Sequence, residues 1–193
     1  MLSKDGKTLI SGVNGPASSR SVTIPDGVTT IKEHAFFNMN GISSVSIPDS
    51  LKNIEEGAFH QCSGLKSVVF SGTSNLTTIG EFAFMGPPLD NTPNFVIPSK
   101  VTSLGKLCFY GCHITSLTIP DGVSKIPDEA FYGMDELLTV VIGKGVTKIA
   151  SDAFGCYGQS KVTSATFKGK TLEKVKKMAN YPWGLPTAAI NVS

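Results

Sequence analysis

Apolar residues recur along the chain in a block of fixed layout. The first copy shows the full layout: a Val-x-Ile pair, a Pro-Asp-Gly corner, a Val and an Ile three positions apart, and an Ala-Phe step followed three residues later by Met, and the later copies vary on it. The first copy is Val22, Ile24, Pro25, Val28, Ile31, Ala35, Phe36, Met39 and Ile42; the second is Val45, Ile47, Pro48, Leu51, Ile54, Ala58, Phe59, Cys62 and Leu65. Later copies open at Val68, Phe95, Leu117 and Val140, and Ala165 with Phe167 opens a seventh strand. The strand positions Ile24, Ile47, Phe70, Ile97, Ile119, Ile142 and Phe167 are separated by 23, 23, 27, 22, 23 and 25 residues. A spacing this steady defines an internal repeat.

The Val-x-Ile pair has the period of two that turns both side chains to one face of a strand, and the Pro that follows removes a ladder donor. Each strand is therefore three or four residues long. Pro-Asp-Gly presets a turn, and Val28 and Ile31 with their counterparts come back toward the same core. The Ala-Phe step reads as a short helical turn that packs its ring inward. One coil of 23 residues would lose roughly 35 kcal/mol of conformational entropy at ~1.5 kcal/mol per residue, more than its few apolar side chains offset alone. Coils must stack, which aligns a Phe row at 36, 59, 84, 109, 131 and 154 and builds a parallel sheet.

The pattern divides one solenoid domain into three parts: an N-terminal cap over 1–21, six repeats over 22–164, and a closing strand with a capping helix over 165–193. In the first part Ser3-Lys4-Asp5-Gly6 marks a turn, with Leu2, Leu9, Ile10 and Val13 as its apolar residues. In the last, Leu172, Val175, Met178 and Ala179 predict a helix with one apolar stripe. Tyr181, Trp183 and Leu185 are expected behind it, and Ala188 to Val192 as a final extended segment.

At 40% hydrophobic and 17% charged residues, the 193-residue chain is an ordered array with a continuous core. The net charge of +2 is uneven. Five lysines against one glutamate between 168 and 177 contribute +4, so the rest of the chain sums to −2 and offers no basic surface for nucleic acid. There is no run of 18 apolar residues for membrane insertion, and the N-terminus lacks the basic and apolar regions of a signal peptide.

Candidate chemistry is sparse. Cys62 and Cys112 share a row with Met39 and Met134, Cys108 replaces the Ala of Ala-Phe, and Cys156 falls one residue short of the first row. Positions that exchange Cys with Met and Ala call for a small buried apolar group, which a free thiol supplies. His34, His60 and His113 fall in different rows. Gly169-Lys170-Thr171 matches the tail of a P-loop, but the first glycine would have to be residue 164, which is Ser164. Asp26, Asp49 and Asp121 recur at the corner, where Asp is the ordinary turn residue, and Glu33, Glu56 and Asp128 recur near Ala-Phe. No catalytic group, metal or cofactor is expected, and the chain is not expected to be an enzyme.

The motif Ile-Pro-x-x-Val-x-x-Ile-x-x-x-Ala-Phe-x-x-Cys resembles the BspA-like (treponemal-type) leucine-rich repeat family over residues 22–164. The third copy departs from it, lacking Pro after Phe70 and carrying the insertion 86–93. Segments 169–172 and 180–184 resemble the closing part of gut-bacterial repeat proteins. The resemblance implies a leucine-rich-repeat array with short parallel strands on a concave side, short helical turns on the other, and a C-terminal capping helix. It also implies an extracellular or cell-surface protein, of the kind found in bacteria and some parasitic protists, that acts in adhesion to host proteins or to other cells.

In such an array the residues between the buried Val and Ile point outward from the sheet. The expected ligand-binding row is Thr23, Ser46, Val69, Val96, Thr118, Val141 and Thr166, flanked by Ser67 and Ser116. Seven strands at ~4.8 Å make a face roughly 30 Å long. It is small, polar and nearly uncharged, and suits a protein or glycan ligand bound by a monomer. The alternative is a structural spacer or assembly module of a larger surface or phage-borne protein.

Overall fold

The computed structural model of the protein describes residues 1–12, 20–90 and 94–193; Val13 of the expected cap and residues 91–93 of the insertion lie outside them. Among the described residues the elements run β1 (Thr8–Leu9), β2 (Arg20–Thr23), β3 (Thr30–Ile31), β4 (Ile42–Ile47), β5 (Asn53–Ile54), β6 (Ser67–Phe70), β7 (Thr78–Ile79), β8 (Asn94–Val96), β9 (Ser103–Leu104), β10 (Ser116–Ile119), β11 (Lys125–Ile126), β12 (Thr139–Ile142), β13 (Lys148–Ile149), β14 (Ser164–Phe167), α1 (Leu172–Lys176) and β15 (Ile190–Val192). The fold is a parallel-strand solenoid, with the strands in the expected rows. Val22, Val45 and Val68 are in register, as are Phe95, Leu117, Val140, Ala165 and Ile190.

The proline after the strand limits pairing as its missing donor requires. Where another residue stands there, the ladder runs one step further: the N–H groups of Ser71, Gly143 and Lys168 donate to Ile47, Ile119 and Ile142 of the preceding coil. The turn aspartates also reach between coils. Asp49 accepts from the hydroxyls of Ser71 and Thr73, and Asp121 accepts the Lys144 N–H at 3.0 Å. These bonds hold the Asp49 carboxyl below its ordinary range, with the Ser71 hydroxyl the largest cause.

Two features go beyond the repeat frame. The Ile of the second half-coil lies on a two-residue strand of its own, giving a second parallel ladder, β1-β3-β5-β7-β9, with β11-β13 beyond it. The Ala-Phe step is a run of i→i−3 turns rather than a continuous helix, and its N–H groups also pair between coils. Phe36, Phe59, Phe84, Phe109, Phe131 and Phe154 donate to Ala58, Ala83, Cys108, Ala130, Ala153 and Trp183. In five of the six coils the residue two before the row Phe, namely His34, Gly57, Phe82, Leu107 and Glu129, has a left-handed backbone, and alternate N–H groups of the step point toward the neighbouring coil.

The two strand ladders break at different junctions. β2-β4-β6 and β8-β10-β12-β14-β15 are separate sheets, parted where the insertion lies, while β7 and β9 stay paired across the same junction. One coil later β8 and β10 stay paired, but β9 and β11 do not. There the residue after Ile126 is Pro127; its counterparts Lys32, Glu55, Gly80, Gly105 and Ala150 all donate to the preceding coil, and Pro cannot.

The core is a stack of rows. The six row phenylalanines lie parallel within 15°, with centroids 4.9, 5.1, 5.3, 5.8 and 5.3 Å apart. Offset stacking of this kind adds to area burial. Three thiols serve as buried fillers with a polar tip: Cys62 donates to the Phe36 carbonyl at 2.8 Å, Cys112 to Phe84 at 3.2 Å, and Cys108 lies 3.9 Å from that of Ala130. All four cysteines are free. Burial pushes the Cys62 thiol up to about 11, and those of Cys108 and Cys112 well above the ordinary thiol range.

The ends close the core with less helix than the sequence suggests. α1 has five residues, capped by the Thr171 hydroxyl, and only its Val175 is buried; Leu172 and Ala179 are exposed and Met178 is half-buried. A short helix over turns suffices because Trp183 fills the position, packing 5.5 Å from Phe167 and donating its indole N–H to the Ala179 carbonyl at 2.7 Å. A 3-10 turn at Thr187–Ala189 leads into β15, which pairs with β14. At the other end Leu9 is buried, whereas Leu2 and Ile10 are exposed.

Candidate binding surface

Register places Thr23, Ser46 and Val69 side by side on the first sheet, and Val96, Thr118, Val141 and Thr166 on the second. The second row gains Asn191, paired with Thr166, which the sequence pattern alone did not reveal because β15 lacks the repeat motif. Thr23 and Ser46 are exposed, Thr118, Val141 and Thr166 half-buried. The flanking Ser67 and Ser116 are half-buried as well, and Ser116 accepts from Thr139 Oγ1 at 2.9 Å. Inter-coil hydroxyl pairs such as this, and Ser44 to Ser21 at 2.8 Å, hold the flank in one arrangement.

The most apolar point of the row is where the two sheets part. Val69 is 54% and Val96 58% exposed, although both lie on strands. Beside them a depression of about 510 Å³ is lined by Phe70, Ser71, Thr73, Pro98, Ser99 and Lys100 among others. Here Phe70 meets Phe95 edge to face at 6.1 Å, and no backbone ladder joins β6 to β8.

A second surface feature lies on the turn side. The residue after each row Phe reads Phe37, His60, Met85, Tyr110, Tyr132 and Gly155, a column visible in the repeat frame once this position is followed. Phe37 stands between His34 and His60 at 5.6 and 5.3 Å, and His60 lies 6.1 Å from Phe82. Two of the histidines thus share one aromatic strip despite their different rows. Burial lowers the His60 imidazole below its ordinary value, with nearby His34 a second cause. Further along, Tyr110 and Tyr132 stack at 5.5 Å, and Tyr157 stands perpendicular to both. The Tyr110 and Tyr157 hydroxyls are hydrogen-bonded, which pushes Tyr110 up to about 12.

Among the described residues there is no cluster of three or more His, Cys, Asp or Glu that could hold a metal ion, and no helix is long and apolar enough to cross a membrane.

Comparison with known proteins places this geometry. A search of curated proteins found no match. Among solved structures, a leucine-rich repeat protein of Bacteroides ovatus aligns at 23% identity with a TM-score of 0.67, covering 90% of this chain and 45% of that one. The pneumococcal vaccine antigen PcpA aligns at 19% with a TM-score of 0.63, covering 99% and 45%. A leucine-rich cell surface protein of Faecalibacterium prausnitzii aligns at 25% with a TM-score of 0.57, covering 86% and 52%. The chain therefore spans about half the length of these relatives. The profile of the BspA-type leucine-rich repeat region matches residues 14–93 and 73–182 in six copies. With its repeat, its ladders and this match in agreement, the chain belongs to the BspA-type leucine-rich repeat family.

Proposed function

We propose that the protein is a non-enzymatic binding module, displayed at a bacterial cell surface or secreted, that holds a protein or glycan ligand on its sheet face. The observation that carries this is the outward row from Thr23 to Thr166, which bears no charged side chain and widens to exposed Val69 and Val96 beside the depression. Such a face loses little on desolvation, and the Ser and Thr hydroxyls can donate or accept. The surface location is supported by the family and by the F. prausnitzii relative, described as a cell surface protein.

Biolayer interferometry against host matrix proteins, mucin glycans and bacterial surface extracts tests it, with the combined Ser67→Lys, Val69→Lys and Ser116→Lys variant alongside. Saturable binding lost in a folded variant is the expected outcome. Equal binding by parent and variant refutes the sheet-face site. No binding by a folded, monodisperse parent favours the spacer or assembly role.

A further inference from the structure

We propose that the ligand of the sheet face is an extended segment of a partner protein, which adds its main chain as a strand between β6 and β8. This rests on the sheet-face reading and narrows it from protein or glycan to a peptide strand. The observation behind it is a pair of strand edges that face each other unpaired. Main-chain groups alternate along these strands. Inward residues turn theirs to the following coil, as the Ile24 N–H donating to Ser46 and the Ile97 N–H donating to Thr118 show, and outward residues such as Ser46 and Thr118 turn theirs to the preceding one. By this alternation Val68 and Phe70 of β6 face β8, and Asn94 and Val96 of β8 face β6. Among the described residues none of the four has a backbone partner across the junction. Both edges thus present N–H and C=O groups in strand order, the pattern that an added strand pairs with.

The separation of the two strands fits this. Hardly any Cα of β6 comes within 8 Å of β8, and seating one strand between them calls for ~9–10 Å, twice the ~4.8 Å spacing of paired strands. The chain is longer on both flanks of the gap. Six positions separate Phe70 from Leu76 where four separate Ile47 from Leu51, and five separate Leu89 from Asn94 where two separate Leu65 from Ser67. The longer corner is tied down: Asp49 accepts from the Ser71 and Thr73 hydroxyls, and the Asn75 amide donates to the Asp49 carbonyl at 2.9 Å and accepts from Lys100 Nζ at 2.5 Å. A core ring is also within reach. Ile24, Ile47, Ile97, Ile119 and Ile142 are at most 2% exposed, whereas Phe70 of the same row is half-buried and lines the depression beside Val96.

The gap also sets the side chains of its occupant. Outward residues of an added strand would stand between exposed Val69 and Val96, which suits Val, Ile or Thr. Inward residues would lie over the rings of Phe70 and Phe95, whose edge-to-face contact already fills the space beneath, so these positions suit Ala, Ser or Gly. A glycan has no alternating N–H and C=O groups to satisfy two strand edges at once, and an extended main chain does.

The test is calorimetric titration and amide hydrogen exchange with capped peptides of about seven residues that alternate Val, Ile or Thr with Ala, Ser or Gly between terminal lysines. In the free protein the Val68, Phe70 and Val96 amides should exchange freely, and a saturating peptide should slow them. Val96→Pro removes a donor aimed into the gap and leaves the β8–β10 ladder to Phe95 and Ile97, so affinity should fall at least about three- to tenfold, the size of one main-chain hydrogen bond. Val96→Thr should retain it. Protection of the Phe70 and Val96 amides in the free protein, saturable binding by none of the peptides, or unchanged affinity in Val96→Pro would each overturn the proposal. If circular dichroism shows Val96→Pro unfolded, peptides N-methylated at alternate residues replace it, and their binding as tightly as the parent peptides overturns the proposal. Host-protein or glycan binding that the triple-lysine variant loses, with no peptide bound, would leave the sheet-face site standing and strand addition refuted.

Discussion

Replacing Phe109 with Ala empties the middle of the ring column. Phe109 is fully buried and meets three other rings: Phe84 and Phe131 in parallel stacks, and Phe95 edge to face at 5.3 Å. A buried aromatic removes ~150–250 Å² from water, which at ~25 cal/mol per Å² is about 4–6 kcal/mol. Its neighbours are tied to coils on both sides and cannot collapse fully, so the total belongs at the top of the ~3–5 kcal/mol seen for such truncations. Phe154, at the end of the column, meets one other ring among the described residues, Phe131. With ring pairs worth ~0.5–1.5 kcal/mol each, Phe154→Ala should cost about 1–3 kcal/mol less than Phe109→Ala. Guanidinium melts followed by circular dichroism and by the fluorescence of Trp183, the one tryptophan, measure both variants. Coincident probes are required before free energies are compared, because repeat arrays can lose cooperativity. A Phe109→Ala melt that superimposes on the parent, or an equal or larger loss in Phe154→Ala, refutes the column as the centre of stability.

Alkaline pH should destabilise the fold. Cys62, Cys108 and Cys112 keep their protons when folded, while unfolded thiols release theirs near pH 8.5. Their contribution is therefore complete below about pH 8.5 and falls as pH rises toward the value near 11 for Cys62, by ~1.4 kcal/mol per pH unit for each retained proton. Urea melts between pH 8 and 10.5 measure the slope, and Cys108→Ala, which installs the usual residue of that row, should flatten it by about a third; a pH-independent midpoint contradicts the assignment. Glycines should divide by neighbourhood rather than by φ alone. At Gly105 a Cβ would fall 2.2 Å from the backbone of Glu81, whereas Gly111 has φ +71° but open space. Gly105→Ala is expected to cost ~3 kcal/mol as overpacking and Gly111→Ala ~1–2 kcal/mol as left-handed strain; thermal melts in the reverse order would refute the close-packed corner.

The rows that bury large apolar groups were legible in the sequence, because burial constrains side-chain type and leaves a period. Val22, Ile24 and Phe36 announce their places. The second strand ladder was not, since β3 and its counterparts are two residues long and are made by backbone groups that leave no mark on residue choice. Pro127 was the readable exception, a residue without a donor at a donor's position. On the candidate surfaces, alternation alone gave the order Thr23, Ser46, Val69. The tyrosine cluster falls on an exposed or half-buried column, Phe37, His60, Met85, Tyr110, Tyr132 and Gly155, where residue type varies from coil to coil and leaves no period in the sequence. The stripe Leu172, Val175, Met178 and Ala179 predicts a longer buried helix than α1, because Trp183 takes much of the space that stripe would fill.

The offset of the two breaks bears on how the array carries load. Between the third and fourth coils the main sheet is parted but β7 and β9 hold; between the fourth and fifth, β8 and β10 hold where β9 and β11 do not. Across both junctions the Phe84 and Phe109 N–H groups keep their bonds to Cys108 and Ala130. The joints are staggered like those in brickwork, so a shear or pull along the axis meets at least two unbroken seams at either weak point. Bending is easier there than elsewhere, and in different directions at the two junctions, since each gap lies on a different wall of the coil. The middle of the solenoid is thus a compliant segment within a continuous beam, able to flex beside Val69 and Val96 without being cut in two.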